Sequence, residues 1–480
     1  MGSKYFNIFL FSFIPSLLSC NCQLSFAKPS KNLFITCVVN SLKTESSTAT
    51  ISLPRSFGDT TVADHYFNIA DSLQAYGKYD SSNHFFTMAL SIYENARNYH
   101  DVVKCYMEIG LNYKLMSTYN KTLVYLDKAL NIAMGKFNPK EKLIGEIYNE
   151  IGTVYSQKGD YNEAMNYYSK HLNFTLKHYG QNDPALAVSY TNLGNVYWHK
   201  GAYDKTQEYY YKALSIDMKY HGPDHKYTAM DYYNIGVLNR IQGDLLSALS
   251  LFKRSLSIRI KISGNESLTV ADCYNNIGIV YSNLGEMDQA IGYYQRALQI
   301  RLDKLGSQHR LVAMSYNNLG TAHYKLFHYK KAYEIYAVAL QIYIETLGKD
   351  HPEVASTYTN IGTLLTDDNK FQEAAEYQQL ALSTYIKAFG DYHPLVATVY
   401  LSFADISISR REYAEALFYY QKSINSIVIG FENLDVEANP EISNKTDFAI
   451  ISMEILLGTL QGKAETFNRQ WEVSFNSVQE

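Results

Sequence analysis

Small and apolar positions in this chain recur on two scales. Around each of a series of centres, residues at +12, +16 and +20 fall on one helical face, as in Ala164, Tyr168 and Leu172 or Ala290, Tyr294 and Leu298. The centres themselves are spaced by 42 residues, at Gly152, Gly194, Gly236, Gly278, Gly320 and Gly362. One step back falls on Gly110 and one step forward on Ala404, and a ninth copy, 40 residues before Gly110, centres on Ala70. A glycine recurs at +7 (Gly77, Gly159, Gly201, Gly243, Gly285) and marks a turn. An aromatic or large apolar residue follows at +9, from Tyr79 to Tyr413. Each unit therefore reads as helix A, a tight turn and a longer helix B. A fixed period of this size predicts a stacked array of one supersecondary unit.

The starts of helix A are also legible. Asp183-Pro184, His351-Pro352 and His393-Pro394 precede a helix, where proline's missing N–H costs nothing and aspartate caps well. Alanine at 187, 229, 271, 313, 355 and 397 is expected to begin helix A. The central glycine lowers helix propensity by about 1 kcal/mol. Its recurrence predicts a packing requirement where it crosses the +12 alanine of helix B.

The phrase Leu347-Gly-Lys-Asp-His-Pro-Glu-Val-Ala355, followed by Tyr358-Thr-Asn-Ile-Gly362, resembles the tetratricopeptide repeat in its 42-residue form, typified by kinesin light chains. The resemblance covers residues 56–428 as about nine repeats and implies an all-α, right-handed superhelical solenoid of helix-turn-helix units. His171 and Ser255 depart from the small alanine usual at +19.

The flanks differ from the array. Lys4 and the apolar run Tyr5 to Leu18 read as an export signal over residues 1–20, since a membrane span needs roughly 20 apolar residues. Leu17-Leu18-Ser19-Cys20 resembles a lipobox, which makes Cys20 a candidate for lipidation. The expected location is periplasmic, secreted or lipid-anchored if the signal is used, and cytoplasmic otherwise. Residues 21–55 form a linker, and residues 429–480 a degenerate helical cap or junction. Gly430-Phe-Glu-Asn433, Ala438-Asn-Pro440 and Leu460-Gln-Gly-Lys-Ala464 resemble the segment joining repeats to a caspase-like domain in bacterial TPR–CHAT proteins. No His/Cys dyad can be carried over.

Net charge is −4 and the pI about 6.4, with no basic block, so nothing favours nucleic acid. Cys105 and Cys273 hold the same position in copies four periods apart, which argues against a disulfide. His225, His309, His351 and His393 share one loop position in different copies and cannot converge on a metal. No phosphate loop, nucleophile elbow or cofactor motif is present, and the chain reads as non-enzymatic.

The informative polar positions lie in helix A. Asparagine stands two residues before the centre at Asn68, Asn192, Asn234, Asn276, Asn318 and Asn360, although it is a poor interior helix residue. In the resembled family helix A lines a concave groove, and this amide can hold a bound peptide backbone. Alternatively it bonds a neighbouring repeat. Asn195, Trp198, Arg240 and Tyr324 fall on the same predicted face, with Trp198 and Arg240 as candidate anchors. On the groove reading, Asn276→Ala with Asn318→Ala should weaken partner capture and leave melting nearly unchanged. The leading function is a protein-interaction scaffold binding a peptide or partner domain. The alternative is the regulatory half of a TPR–CHAT protease system.

Overall fold

The computed structural model describes residues 60–428, 431, 433–439 and 450–479, with side chains of the last helix described over 455–470. The signal, Cys20, the linker and the CHAT-like phrase at Gly430, Glu432 and Pro440 lie outside the described residues. Among the described residues there are nineteen α-helices and no strand. They form two compact units, the first ending at Val196 and the second starting at Tyr197.

The first unit holds α1 (Thr61–Ala75), α2 (Tyr79–Asn95), α3 (Tyr99–Leu115), α4 (Tyr119–Lys136), α5 (Lys142–Gln157), α6 (Tyr161–Tyr179) and the start of α7 (Ala185–His199). The second holds α8 (Tyr203–His221), α9 (Lys226–Ile241), α10 (Leu245–Ser263), α11 (Leu268–Asn283), α12 (Met287–Leu305), α13 (Arg310–Lys325), α14 (Tyr329–Leu347), α15 (Pro352–Asp367), α16 (Phe371–Phe389), α17 (Pro394–Ser409), α18 (Tyr413–Ile427) and α19 (Ile450–Gln479). From α1 to α18, odd-numbered helices are A and even-numbered ones are B.

Two turns make the period. The A-to-B turn places its +7 residue in the left-handed region whatever the side chain: Gly159 has φ +80°, but so do Ser117 (+57°), Phe327 (+60°), Asn369 (+60°) and Arg411 (+63°) in kind. The B-to-A turn is opened by a second glycine series at +28, from Gly180 through Gly222, Gly264, Gly306 and Gly348 to Gly390, all with positive φ. The first repeat is two residues short because Ala96-Arg97-Asn98 replaces that loop, with Arg97 at φ +56°. Helix A starts earlier than its alanine: α9, α11, α13, α15 and α17 begin three residues before Ala229, Ala271, Ala313, Ala355 and Ala397, and α7 two residues before Ala187. Pro352 and Pro394 occupy the first turn, and the preceding residue supplies the cap.

The central glycine answers to the +16 side chain, a ring at Gly152, Gly236, Gly278 and Gly320, rather than to the +12 alanine. A methyl group on Gly152, Gly278 or Gly320 would lie 2.7 Å from the ring of Tyr168, Tyr294 or Tyr336 at +16. The +12 alanines are themselves fully buried. A tyrosine also stands four residues before every centre, Tyr66 to Tyr400. With the +3 and +15 aromatics it builds a cluster in the repeats centred on Gly110, Gly152 and Gly278. Tyr106, Tyr113 and Tyr125 form one in the first unit, with Tyr113 and Tyr125 stacked at 5.4 Å. Tyr274, Tyr281 and Tyr293 form one in the second, with Tyr281 and Tyr293 stacked at 5.5 Å. This cluster accounts for much of the tyrosine excess.

His171 and Ser255, two of the exceptions at +19, each meet the −5 residue of the following helix A. Ser189 Oγ lies 2.9 Å from His171 Nδ1, and Cys273 Sγ donates to Ser255 Oγ at 3.7 Å. Cys105 and Cys273 are both buried and free.

After the ninth repeat α19 packs on both α17 and α18, burying Ile455 and Leu456 against Ala404, Tyr420 and Ile424. Lys463 of α19 is buried, and its Nζ donates to Gln421 Oε1 (2.7 Å), Ala438 O (2.7 Å) and Asn439 Oδ1 (3.0 Å). That lysine ties the 433–439 segment to the last repeat and satisfies a buried charge with three acceptors.

Candidate functional site: the helix-A face

At four places a residue at −2 of one helix A bonds the −3 residue of the preceding helix A. In the first unit Asn192 Nδ2 donates to Asn149 Oδ1 at 2.8 Å. In the second, Asn276 donates to Tyr233 Oη (2.8 Å), Asn318 to Asn275 Oδ1 (2.9 Å) and Asn360 to Asn317 Oδ1 (3.2 Å). Each bond runs from −2 of one repeat to −3 of the one before. Both positions sit about one turn before the glycine, and consecutive A helices of the second unit touch. Asn276 Nδ2 also reaches Asp272 O of its own helix at 3.1 Å. Asn234 makes no hydrogen bond among the described residues and is half-buried.

One to two turns further along, longer side chains repeat the cross-link. Tyr324 donates to Asp367 Oδ2 at 2.7 Å, and burial followed by that carboxylate holds its hydroxyl well above the usual phenol range. Lys325 Nζ donates to Ser282 Oγ (3.0 Å) and Ser282 O (3.3 Å), and burial pulls its ammonium down to about 8. In the first unit Lys114 pairs with Glu150 at 2.6 Å.

The residues singled out in the sequence occupy different environments. Asn276, Asn318, Tyr324 and Arg240 are buried, each with 8% of its surface exposed. Arg240 is therefore packed inside the array near Tyr233 and Tyr294, and burial pulls its guanidinium down to about 10. That location differs from the groove-facing anchor expected of it, because Tyr294 of the following repeat packs near it. Trp198 is half-buried, edge-on to Tyr203 at 5.7 Å, and packs against the Tyr210–Tyr232 cluster. Asn192, Asn195 and Asn360 are half-buried. Sequence reasoning did not single out the −3 partners, Asn149, Tyr233, Asn275 and Asn317. Their signal was the doublet Asn-Asn at 275–276 and 317–318.

Among the described residues no group of three His, Cys, Asp or Glu side chains is arranged to hold a metal ion. No described helix is long and apolar enough to cross a membrane.

Two-helix units stacked with their A helices cross-linked side by side define a helical-repeat protein whose repeated face is its distinctive surface. Models of the tetratricopeptide repeat match residues 185–261, 269–345, 328–387 and 353–426, and a second such model matches 145–173. These matches span more than half of the chain, which belongs to the tetratricopeptide repeat family. Among solved structures, the apo form of the quorum sensor NprR from B. thuringiensis is similar over 74% of this chain and 92% of its own, with 14% identity and a TM-score of 0.54. BtubC from P. vanneervenii aligns over 52% of this chain and 91% of its own at 20% identity and TM-score 0.39. The putative kinesin light chain repeats from Podosopora anserina align over 43% and 98% at 18% identity and TM-score 0.37. No curated protein matches the sequence.

Proposed function

We propose that this chain is a non-enzymatic interaction scaffold whose helix-A face binds an extended peptide or a projecting loop of a partner protein. The observation that carries this reading is the amide ladder of the second unit. Asn275 and Asn317 spend their Oδ1 on the ladder, and Asn318 and Asn360 spend an N–H. The Nδ2 of Asn275 and Asn317 and the Oδ1 of Asn318 and Asn360 have no protein partner among the described residues. Successive repeats thus present donors and acceptors at a fixed interval, which suits a peptide backbone carrying both. The ladder also fixes the amides before a partner arrives, so less ordering entropy is lost on binding. Trp198 belongs to the proposed surface of the second unit, and in the first unit Asn192, bonded to Asn149, and Asn195 form a face of the same kind. Export by residues 1–20 is part of the same proposal.

The test is affinity capture with the full chain beside Thr363→Arg. Thr363 is half-buried at +1 of the α15 repeat, one turn beyond Thr359 at −3, and makes no ladder bond. A partner captured by the native chain and lost by at least tenfold in the variant, with melting unchanged, supports the reading. A partner indifferent to the added guanidinium refutes it.

A further inference from the structure

Six consecutive helix-A starts in this chain use one capping position, and four of the six caps are imidazoles. The position falls at 183, 225, 267, 309, 351 and 393, one period apart. His225 Nδ1 accepts from Tyr227 N (3.4 Å), His309 Nδ1 from Leu311 N (3.1 Å), His351 Nδ1 from Glu353 N (3.2 Å) and His393 Nδ1 from Leu395 N (3.2 Å). Asp183 Oδ1 caps Ala185 N at 2.9 Å, and Ser267 Oγ caps Val270 N at 3.3 Å. The two oxygen caps do the same work as the four nitrogens.

An imidazole caps only while neutral. Nδ1 must offer its lone pair to the backbone N–H, so the single ring proton rests on Nε2. Protonation removes the acceptor and puts a positive charge at the positive end of the helix dipole. Four helix starts in the second unit therefore share one chemical dependence that the Ser267 start lacks.

We propose that these four histidine caps make the second unit acid-sensitive, loosening the starts of α9, α13, α15 and α17 together as pH falls below neutrality while α11 stays fixed by Ser267. The surroundings agree in sign. Burial holds all four imidazoles below the ordinary histidine range. For His225, His221 of α8 stacked at 4.3 Å and Lys226 of α9 add to this, with Tyr227 edging the same ring. For His309 it is Arg310 of α13 and Arg301 of α12, and for His351 it is Arg310 of the preceding helix A. His393 rests on the Phe389 ring of α16 at 4.2 Å, and burial is its sole cause. A depressed folded pKa means that the stabilisation is complete above about 6.5 and is lost as pH falls toward the folded value. Each cap can add at most about a tenfold rise in local opening per pH unit, since one proton is bound.

Hydrogen exchange of the full chain at pH 7.5 and 5.0, corrected for the intrinsic rate, tests this within one molecule. Protection of Tyr227, Leu311, Glu353 and Leu395 should fall about tenfold or more, and that of Val270 should not change. A matching fall at Val270, or no fall at the other four, overturns the proposal. The variant H225S/H309S/H351S/H393S installs the cap already present at 267. Its melting temperature should fall less than that of the native chain between pH 7.5 and pH 5.0, and a variant that keeps the full native acid shift contradicts the proposal. If that variant fails to fold, the comparison within the native chain still decides.

Discussion

The side chain of Asn318 donates to that of Asn275, 43 residues upstream, at 2.9 Å, and both are more than nine-tenths buried. One residue beyond a full period is what a link from −2 to −3 of the previous repeat requires. The bond therefore belongs to the interface between repeats as well as to the face they present. Asn276→Ala with Asn318→Ala, expected from sequence to leave melting nearly unchanged, should instead destabilise. A double-mutant cycle of Asn275→Ala and Asn318→Ala should give a coupling of about 0.5–1.5 kcal/mol in urea unfolding. Additive single effects would mean that the ladder does not hold the repeats together.

The same substitution should have opposite signs at two central glycines. A methyl at Gly320 would lie 2.7 Å from the Tyr336 ring, which is buried on every side. Gly320→Ala should cost about 1–3 kcal/mol through overpacking. At Gly110 the nearest atom, Leu126 Cγ, is 3.6 Å away. Gly110→Ala should stabilise, by up to about 1 kcal/mol, because helix propensity improves with no clash. Denaturation midpoints of the two variants beside the native chain check both signs.

Phe327 pays a conformational cost that most of its equivalents avoid. It sits at φ +60° where five other repeats have glycine, and 69% of its surface is exposed. Phe327→Gly should stabilise by about 0.5–1 kcal/mol, since a Cβ is disfavoured in that region. A loss of stability would show that the ring's edge contact with Tyr329, at 6.3 Å, outweighs the strain.

Asp217 and Asp231 face each other across the interface between α8 and α9, both buried, with His221 Nε2 3.8 Å from Asp217 Oδ1. Burial first and Asp217 second push the Asp231 carboxyl up to about 9. A raised folded pKa gives stability that is fully present below about pH 4, the unfolded carboxylate value, and is lost as pH rises toward 9. Asp231→Asn keeps a neutral hydrogen-bonding group. It should match the native chain at low pH and melt higher at pH 9. Parallel melting curves across that range would contradict an Asp231 that folds protonated.

Much of the fold was legible because a repeat prints each packing rule many times. The +7 and +12 positions, the helical face and the proline starts all appear where the spacing puts them. Three features were hidden by substitution or by exact regularity. The left-handed turn persists at Ser117, Asn369 and Arg411, so the missing glycines there did not mark a different turn. The −4 tyrosine repeats so evenly that it reads as composition, although it is one corner of the aromatic cluster. Arg240 looked like an anchor because its side chain is long and charged. Its burial depends on the next repeat's approach, which no single helix reveals. The amide ladder was half-visible: the −2 asparagines stood out, and their −3 acceptors vary between Asn and Tyr.

The most direct measurement of the central claim is selection of a random displayed-peptide library on the full chain at neutral pH, with each selected peptide titrated against two variants of equal added charge. Thr363→Arg lies on the helix-A face and Gln379→Arg on the exposed side of helix B. The account predicts peptides whose affinity falls at least tenfold with Thr363→Arg and stays within twofold with Gln379→Arg. Peptides that lose affinity with Gln379→Arg alone, or no selectable peptide at all, would contradict a binding face on the A helices.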